Sequence, residues 1–258
     1  MTDLDICAAQ FCSASGDLNA NIARHIQLME LAAKHGVDFL LFPELSLTGY
    51  EPSLARELAQ TPDAEILQPL RELARHLAMT TVVGLPLRQP GSDAIMIGAL
   101  VFAADGSQAI YTKQHLHLGE EAVFTPGDGG ALLGVGPEHV ALSICADFTH
   151  PSHAHAAALK GAGVYATSVL ISENGYARDS EILQSYAKEH SMGVLMANHG
   201  GPSGGWACAG RSAFWSPGGD LVASASGTGD CLVIARRRQG VWQGQVVEVS
   251  LHSVLPAF

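Results

Sequence analysis

Charge is scarce in this chain. Only 15% of its 258 residues are charged, against roughly 25% in an average soluble domain. Positive charge is scarcer still, with 14 Lys and Arg against 25 Asp and Glu and a formal net charge of −11. A protein that grips a phosphate backbone needs a basic face, so no nucleic-acid partner is expected. The one basic cluster, Arg236-Arg237-Arg238, falls near the end of an apparent strand and reads as a solvated strand end or hairpin. An unbroken apolar run of about 18 residues, which a membrane-spanning helix requires, is also missing. No membrane partner is therefore expected, despite a mean hydropathy of +0.18. The opening Met1-Thr2-Asp3-Leu4-Asp5 has two aspartates and no basic stretch, so a signal peptide is not expected either. There is no CxxC spacing among the five cysteines, Cys7, Cys12, Cys145, Cys208 and Cys231. An odd count in a chain too long to need staples points to a reducing, cytoplasmic setting, with one thiol a candidate nucleophile.

What is present is apolar. Hydrophobic residues make up 47% of the chain, which excludes disorder. Gly (28) and Pro (12) punctuate short apolar segments throughout, with no linker, low-complexity stretch or short repeat. Helical periodicity fits residues 19–35, 65–78, 152–161 and 180–190. Strand-like runs cover 5–10, 39–42, 81–85, 95–103, 108–112, 140–144, 164–168, 194–198, 212–216, 221–226 and 231–236. Hairpins are expected at Ala104-Asp105-Gly106 and Pro217-Gly218-Gly219. Strands and helices alternate early and strands dominate late, as in one α/β domain spanning residues 1–258 with layered sheets.

Three polar residues follow apolar strands. Phe39-Leu40-Leu41-Phe42-Pro43 leads into Glu44, Ala109-Ile110-Tyr111-Thr112 into Lys113, and Ala141-Leu142-Ser143-Ile144 into Cys145. Sites in α/β sheets gather at the carboxyl ends of strands, and a charge there is costly unless something pairs with it. Taken singly, each has a plainer role: a small core cysteine, a turn glutamate, a solvated lysine. Together they form a coherent chemical set. A thiolate is a nucleophile, a nearby lysine favours it and steadies an oxyanion, and a carboxylate moves the protons. Such a set requires no metal and no cofactor.

These stretches resemble the nitrilase superfamily of carbon–nitrogen hydrolases. The resemblance rests on Leu40-Leu-Phe-Pro-Glu44-Leu-Ser-Leu-Thr-Gly49-Tyr50, Tyr111-Thr-Lys113-Gln-His115-Leu116, Phe124-Thr-Pro-Gly-Asp128 and Leu142-Ser-Ile-Cys145-Ala-Asp147. Met196-Ala-Asn198, Gly210-Arg-Ser212-Ala-Phe-Trp-Ser-Pro217-Gly218 and the opening Ile6-Cys-Ala-Ala-Gln10 extend it over nearly the whole chain. It implies a four-layer αββα sandwich, paired into a homodimer or larger homo-oligomer. It also implies hydrolysis of a small amide or carbamoyl compound by water through a cysteine thioester. Glu44 would be the general base, Lys113 the oxyanion stabiliser and Cys145 the nucleophile, with the Ala146 N–H as second oxyanion donor. A further glutamate before the aromatic-x-Pro-Gly segment falls on Glu120 by its spacing to Pro126, with Glu121 the alternative if the register slips by one. Nitrile hydrolysis by the same groups and a non-catalytic binding protein on the same fold are the two alternatives.

The chain departs from the family pattern after the nucleophile. Where many members read Cys-Tyr-Asp-x-Arg-Phe-Pro-Glu, it reads Cys145-Ala-Asp147-Phe-Thr149-His150-Pro151-Ser152. Where many carry Arg-Ala-Arg-Ala, it reads Gln184-Ser-Tyr-Ala-Lys188-Glu. These changes spare the triad and bear on substrate and subunit interface. His150, His153 and His155 invite a metal reading, but at i, i+3 and i+5 they do not share a helical face, so packing or pocket lining is expected. Structural roles are expected for His115 and His117. The Gly-rich run Gly200 to Gly210 lacks the lysine of a P-loop and reads as a loop beside the site. Tyr50, Glu173, Asn174, Tyr176 and Trp206 are the loop residues expected near substrate.

Overall fold

Alternation of side chains along short apolar strands builds the layers. A computed structural model describes residues 3–88 and 91–249. Along β1 (Leu4–Gln10), Leu4, Ile6 and Ala8 point to one face while Cys7 and Ala9 point to the other. Helix α1 (Leu18–Lys34), capped by Asp17 whose carboxylate accepts from Ala20 N at 3.0 Å, covers the second face. Next come β2 (Phe39–Leu41), the single-turn α2 (Ala55–Leu58) and α3 (Gln68–His76). They are followed by β3 (Thr80–Arg88), β4 (Ile95–Phe102) and β5 (Gln108–Thr112). The second half holds β6 (Leu133–Val135), β7 (Glu138–Ile144), α4 (Pro151–Leu159) and β8 (Val164–Val169). It continues through α5 (Tyr176–His190), β9 (Gly193–Asn198), β10 (Ala213–Trp215), β11 (Leu221–Ser224), β12 (Cys231–Arg238) and β13 (Val241–Glu248).

The strands form two sheets, ordered β13-β12-β1-β2-β3-β4-β5 and β11-β10-β9-β8-β7-β6. Their facing sides bury one apolar layer that includes Ile6, Phe39, Val82, Leu142, Val164, Leu195 and Phe214. A second layer lies between the first sheet and α1 and α3, and a third between the other sheet and α4 and α5. The result is the αββα sandwich expected of the resemblance.

The differences from the sequence reading are local. The expected helix 65–78 is a 3₁₀ turn, Glu65–Leu67, followed by α3, because Pro69 near the α3 start withholds an N–H. Helix α5 starts at Tyr176 rather than 180. Strand β13 was not expected: Gly244 and two glutamines interrupt its apolar pattern, and it pairs with β12 as a half-exposed edge. Strand β12 runs on through the basic cluster. Arg237 pairs with Glu138 at 2.6 Å and Arg238 with Asp5 at 2.5 Å, so these cations neutralise the chain's own acids.

Both catalytic-type loops of the first sheet lean on a glycine. A Cβ at Gly84 in β3 would sit 2.5 Å from Leu45 N and 2.7 Å from Pro43 O, so the backbone that carries Glu44 lies directly on that glycine. Gly127 is likewise packed on Thr112 and donates to Lys113 O at 2.7 Å. Gly84→Ala is expected to destabilise the fold by about 1–3 kcal/mol through overpacking and to displace Glu44. Gly134→Ala, with nothing within 4 Å of its Cβ, is the control. Thermal melts of both check this: equal melts would show that the Glu44 loop can yield.

Candidate active site

Glu44, Lys113, Cys145 and Glu120 meet between the sheets. Glu44 follows β2 and Lys113 follows β5 in the first sheet, while Cys145 follows β7 in the second. Lys113 Nζ donates to Glu44 Oε1 at 2.7 Å and to Glu120 Oε1 at 2.9 Å, and its side chain is fully buried. Two of the three ammonium protons are thereby used, leaving one. Tyr50 OH donates to Glu120 Oε1 at 2.8 Å and His117 N to Glu120 Oε2 at 2.7 Å. Glu120, not Glu121, enters the cluster: Glu121 is exposed and accepts from Gly119 N.

Cys145 has φ 43°, in the left-handed region that a side chain rarely adopts. Such a residue persists only where its surroundings hold it, at about 1–3 kcal/mol of strain. Asp147, fully buried, supplies the hold. Its carboxylate accepts from Ile144 N (3.1 Å), Gln114 N (3.0 Å), His115 N (2.8 Å) and Tyr111 OH (2.7 Å). Asp147 thus fastens the strand end before the nucleophile to the segment after Lys113. Its motif was visible in the sequence, but its role was not. Cys145 opens a 3₁₀ turn, so the N–H of Ala146 lies in a first turn and lacks an intrahelical acceptor.

The Glu44 loop is pinned from both sheets. Ser168 Oγ, in β8, donates to Phe42 O at 2.7 Å, and His199 Nε2 donates to Glu44 O at 2.8 Å. Burial lowers His199 to about 4, so it stays neutral and keeps that tautomer. On the helix side, Ser46 Oγ accepts from Gly84 N at 3.1 Å and bonds His25 Nε2 at 2.9 Å.

Electrostatics set the resting state. Burial raises the Glu44 carboxyl to about 7, with Lys113 opposing and Glu120 adding to the rise. Burial alone would lower Lys113, but Glu44, the Cys145 sulfur and Glu120 outweigh it and hold the ammonium. The Cys145 thiol is pushed well above its ordinary range, by burial first and by Glu44 second, against the pull of Lys113. The lysine therefore favours the thiolate, as the sequence reading has it, but does not by itself produce one at rest. A thiolate forms at constant cluster charge only if a carboxylate takes the proton. Glu44 Oε2 is buried and accepts no hydrogen bond, so it has the capacity to do so.

A cavity of about 210 Å³ opens onto Cys145, lined by Glu44, Tyr50, Glu120, Ala146, Leu170 and Trp206, among others. Glu173 is not brought there. It is exposed and pairs with Arg211 at 2.7 Å, and the bridge from Ser172 to Cys208 ties its loop to the Gly-rich segment. Asn174 is exposed, and Tyr176 donates to Arg211 O at 2.9 Å, away from the cavity. Asp179, which the sequence reading missed, does line it. His153 bonds Tyr111 OH and Tyr165 OH, both at 2.8 Å, and His150 stacks on His115 at 3.8 Å. His155 lies beside His190 at 5.7 Å between ring centroids.

Comparisons with known proteins bear on this arrangement. The carbon-nitrogen hydrolase family model matches residues 6–244. The chain is 29% identical to a nitrilase of Pyrococcus abyssi, over 81% of this chain and 79% of that one. It is 26% identical to a glutamine-dependent NAD(+) synthetase of Thermotoga maritima, covering 88% of this chain but only 39% of the synthetase. An amidase from Nesterenkonia sp. AN1 superposes with TM-score 0.82 at 26% identity, covering 90% of this chain and 92% of that chain. In that structure acrylamide has added to the active-site cysteine. Another structure of the same amidase, at TM-score 0.83, 25% identity and 92% coverage of both chains, contains butyramide.

The position of Glu44 implies a pH dependence. Its carboxylate form is the one able to take a thiol proton, and that form is lost as pH falls through about 7. The rate of Cys145 alkylation by iodoacetamide is expected to drop about tenfold per pH unit below that point. Glu44→Gln should remove this limb. A pH-independent rate in the unsubstituted protein would show that Glu44 takes no proton from the thiol.

Proposed function

This chain belongs to the carbon–nitrogen hydrolase family and is a hydrolase of amide C–N bonds; on that premise we propose that it cleaves a small amide through a thioester on Cys145, served by Glu44, Lys113 and Glu120. The observation that carries this reading is the buried ammonium of Lys113 held between two carboxylates, one of which keeps an unpartnered oxygen.

The steps follow from the charges. Cys145 Sγ adds to the amide carbon while its proton passes to Glu44 Oε2. The oxyanion forms against the remaining Nζ–H of Lys113 and the N–H of Ala146. Losing one such donor typically costs about 10²–10³ in rate. The C–N bond then breaks as Glu44 returns the proton to the leaving nitrogen. Water enters, loses a proton to Glu44 and adds to the thioester carbon. The C–S bond breaks, the acid leaves, and Glu44 reprotonates the sulfur. Glu120 takes no proton in this cycle. It positions Lys113, and Tyr50 and His117 N fix Glu120 in turn.

Cys145→Ala is expected to lower ammonia release from small amides at least about a thousandfold with little change in melting temperature. Glu44→Gln should also lose turnover, yet an activated ester, whose leaving group needs no protonation, should leave acyl mass on the Cys145 peptide. Mass spectrometry reads this directly, and acyl mass on another residue would overturn the assignment.

Glu120→Gln is expected to cost more than about a hundredfold in kcat/KM, since it weakens a buried charge pair. Glu121→Gln should leave kinetics within about twofold, as exposed substitutions usually do. Steady-state kinetics with the melting temperatures of both variants check this ranking, and the reverse order would assign the second carboxylate to Glu121.

A further inference from the structure

The outer wall of the cavity holds a carboxylate that the proposed chemistry does not use. Asp179 lies in the first turn of α5, half-buried, with its side chain lining the cavity. Among the described residues its carboxylate has no hydrogen-bond donor and no ion-pair partner; Arg178, its neighbour in sequence, acts on it only through space. Oδ2 lies 3.2 Å from where a Cβ on Gly175 would be, so a glycine at that position leaves room for the carboxylate. A carboxylate partly withdrawn from water without a partner is destabilised, and this one faces the cavity.

The rest of the wall suits a cation. Among the described residues no lysine or arginine lines the cavity, and Lys113 is buried against Glu44 and Glu120. Tyr50, Phe148 and Trp206 present aromatic surface, and Leu170 and Ile171 present aliphatic surface. Aromatic faces with one carboxylate attract ammonium groups. Among the described residues, His117 is the one lining side chain able to carry positive charge.

We propose that Asp179 makes this cavity selective for short aliphatic amides whose acyl chain ends in a protonated amine. The inference rests on the amide-hydrolase reading and adds the substrate class. The apolar wall takes the methylenes, Cys145 receives the carbonyl carbon, and Asp179 binds the ammonium at the far end. The cavity volume of about 210 Å³ is below the roughly 300 Å³ of drug-sized pockets, which limits the chain to a few carbons.

The test compares three amides of similar size at about pH 8: 4-aminobutanamide, pentanamide and succinamate. Binding is titrated to Cys145→Ala and to Cys145→Ala/Asp179→Asn, and kcat/KM is measured for the unsubstituted protein and for Asp179→Asn. The expected preference for 4-aminobutanamide over pentanamide is about tenfold or more, the scale of a hydrogen bond to a charged group, with succinamate last. Asp179→Asn should bring the first two within about twofold of each other, a difference too small for such a bond, while Asp179→Glu should keep part of the preference. Equal binding of the ammonium and neutral amides, tighter binding of succinamate, or a preference that survives Asp179→Asn would overturn the proposal. Failure of the hydrolase reading has a different signature: the binding preference would be present without ammonia release from any of the three amides.

Discussion

A lysine with no exposed side-chain surface sits between two buried carboxylates, and much of the structure follows from keeping it there. Each ion would lose several kcal/mol of hydration on burial. The attraction of one opposite charge at such distances is about 6 kcal/mol at an effective dielectric near 20, so a single partner would leave little surplus. Two partners suffice, but they leave the cluster one negative charge in excess. Burial first, and that excess second, raise the Glu44 carboxyl to about 7 and keep the Cys145 thiol from ionising. The same imbalance makes a proton easy to move between sulfur and carboxylate, since the transfer leaves the total charge unchanged.

Holding three charged groups at contact distance demands backbone that does not drift. Glu44 is followed by Leu45 at φ 51°, and Cys145 itself is at φ 43°. Strained residues thus stand on both sides of the cluster, one from each sheet. Each is locked by a buried polar hub. Ser46, His25 and Gly84 N hold the first, and the Asp147 carboxylate holds the second. The sheets are joined at this point by Ser168 to Phe42 O and His199 to Glu44 O. The inter-sheet apolar layer supplies cohesion without direction, and these hydrogen bonds supply the register.

Most of this was legible in the sequence where a motif and a strand end coincided. Glu44, Lys113 and Cys145 stood out because polar residues directly after apolar strands are costly without partners. Glu120 was separable from Glu121 only by its spacing to Pro126, and the structure shows the physical difference, one carboxylate buried and the other in solvent. Strand β13 was hidden because an edge strand with Gly244 loses the alternation that marks a half-buried one. Glu173 misled because a polar loop residue near the site can turn either way, and it turned to Arg211. Asp179 carried no signal: a single acid in a helical first turn looks like any carboxylate complementing the helix dipole.

The division between inner cluster and outer wall explains where the chain departs from its family. The charged residues of the inner cluster bond one another, Lys113 to Glu44 and Glu120 and Glu120 in turn to Tyr50 and His117 N, so a change at one disturbs the others. Asp147 alone links Ile144, Gln114, His115 and Tyr111. The outer wall has no such mutual dependence. Thr149 bonds only its own turn, through Ala146 O at 2.8 Å, and Trp206 stands 47% exposed at the cavity wall. Among the described residues the Asp179 carboxylate has no hydrogen-bond or ion-pair partner. Side chains so loosely coupled to the fold are free to change with the substrate, which is where Thr149 replaces the arginine that many members carry. The inner geometry therefore constrains what bond is cut, and the outer wall constrains what is attached to it.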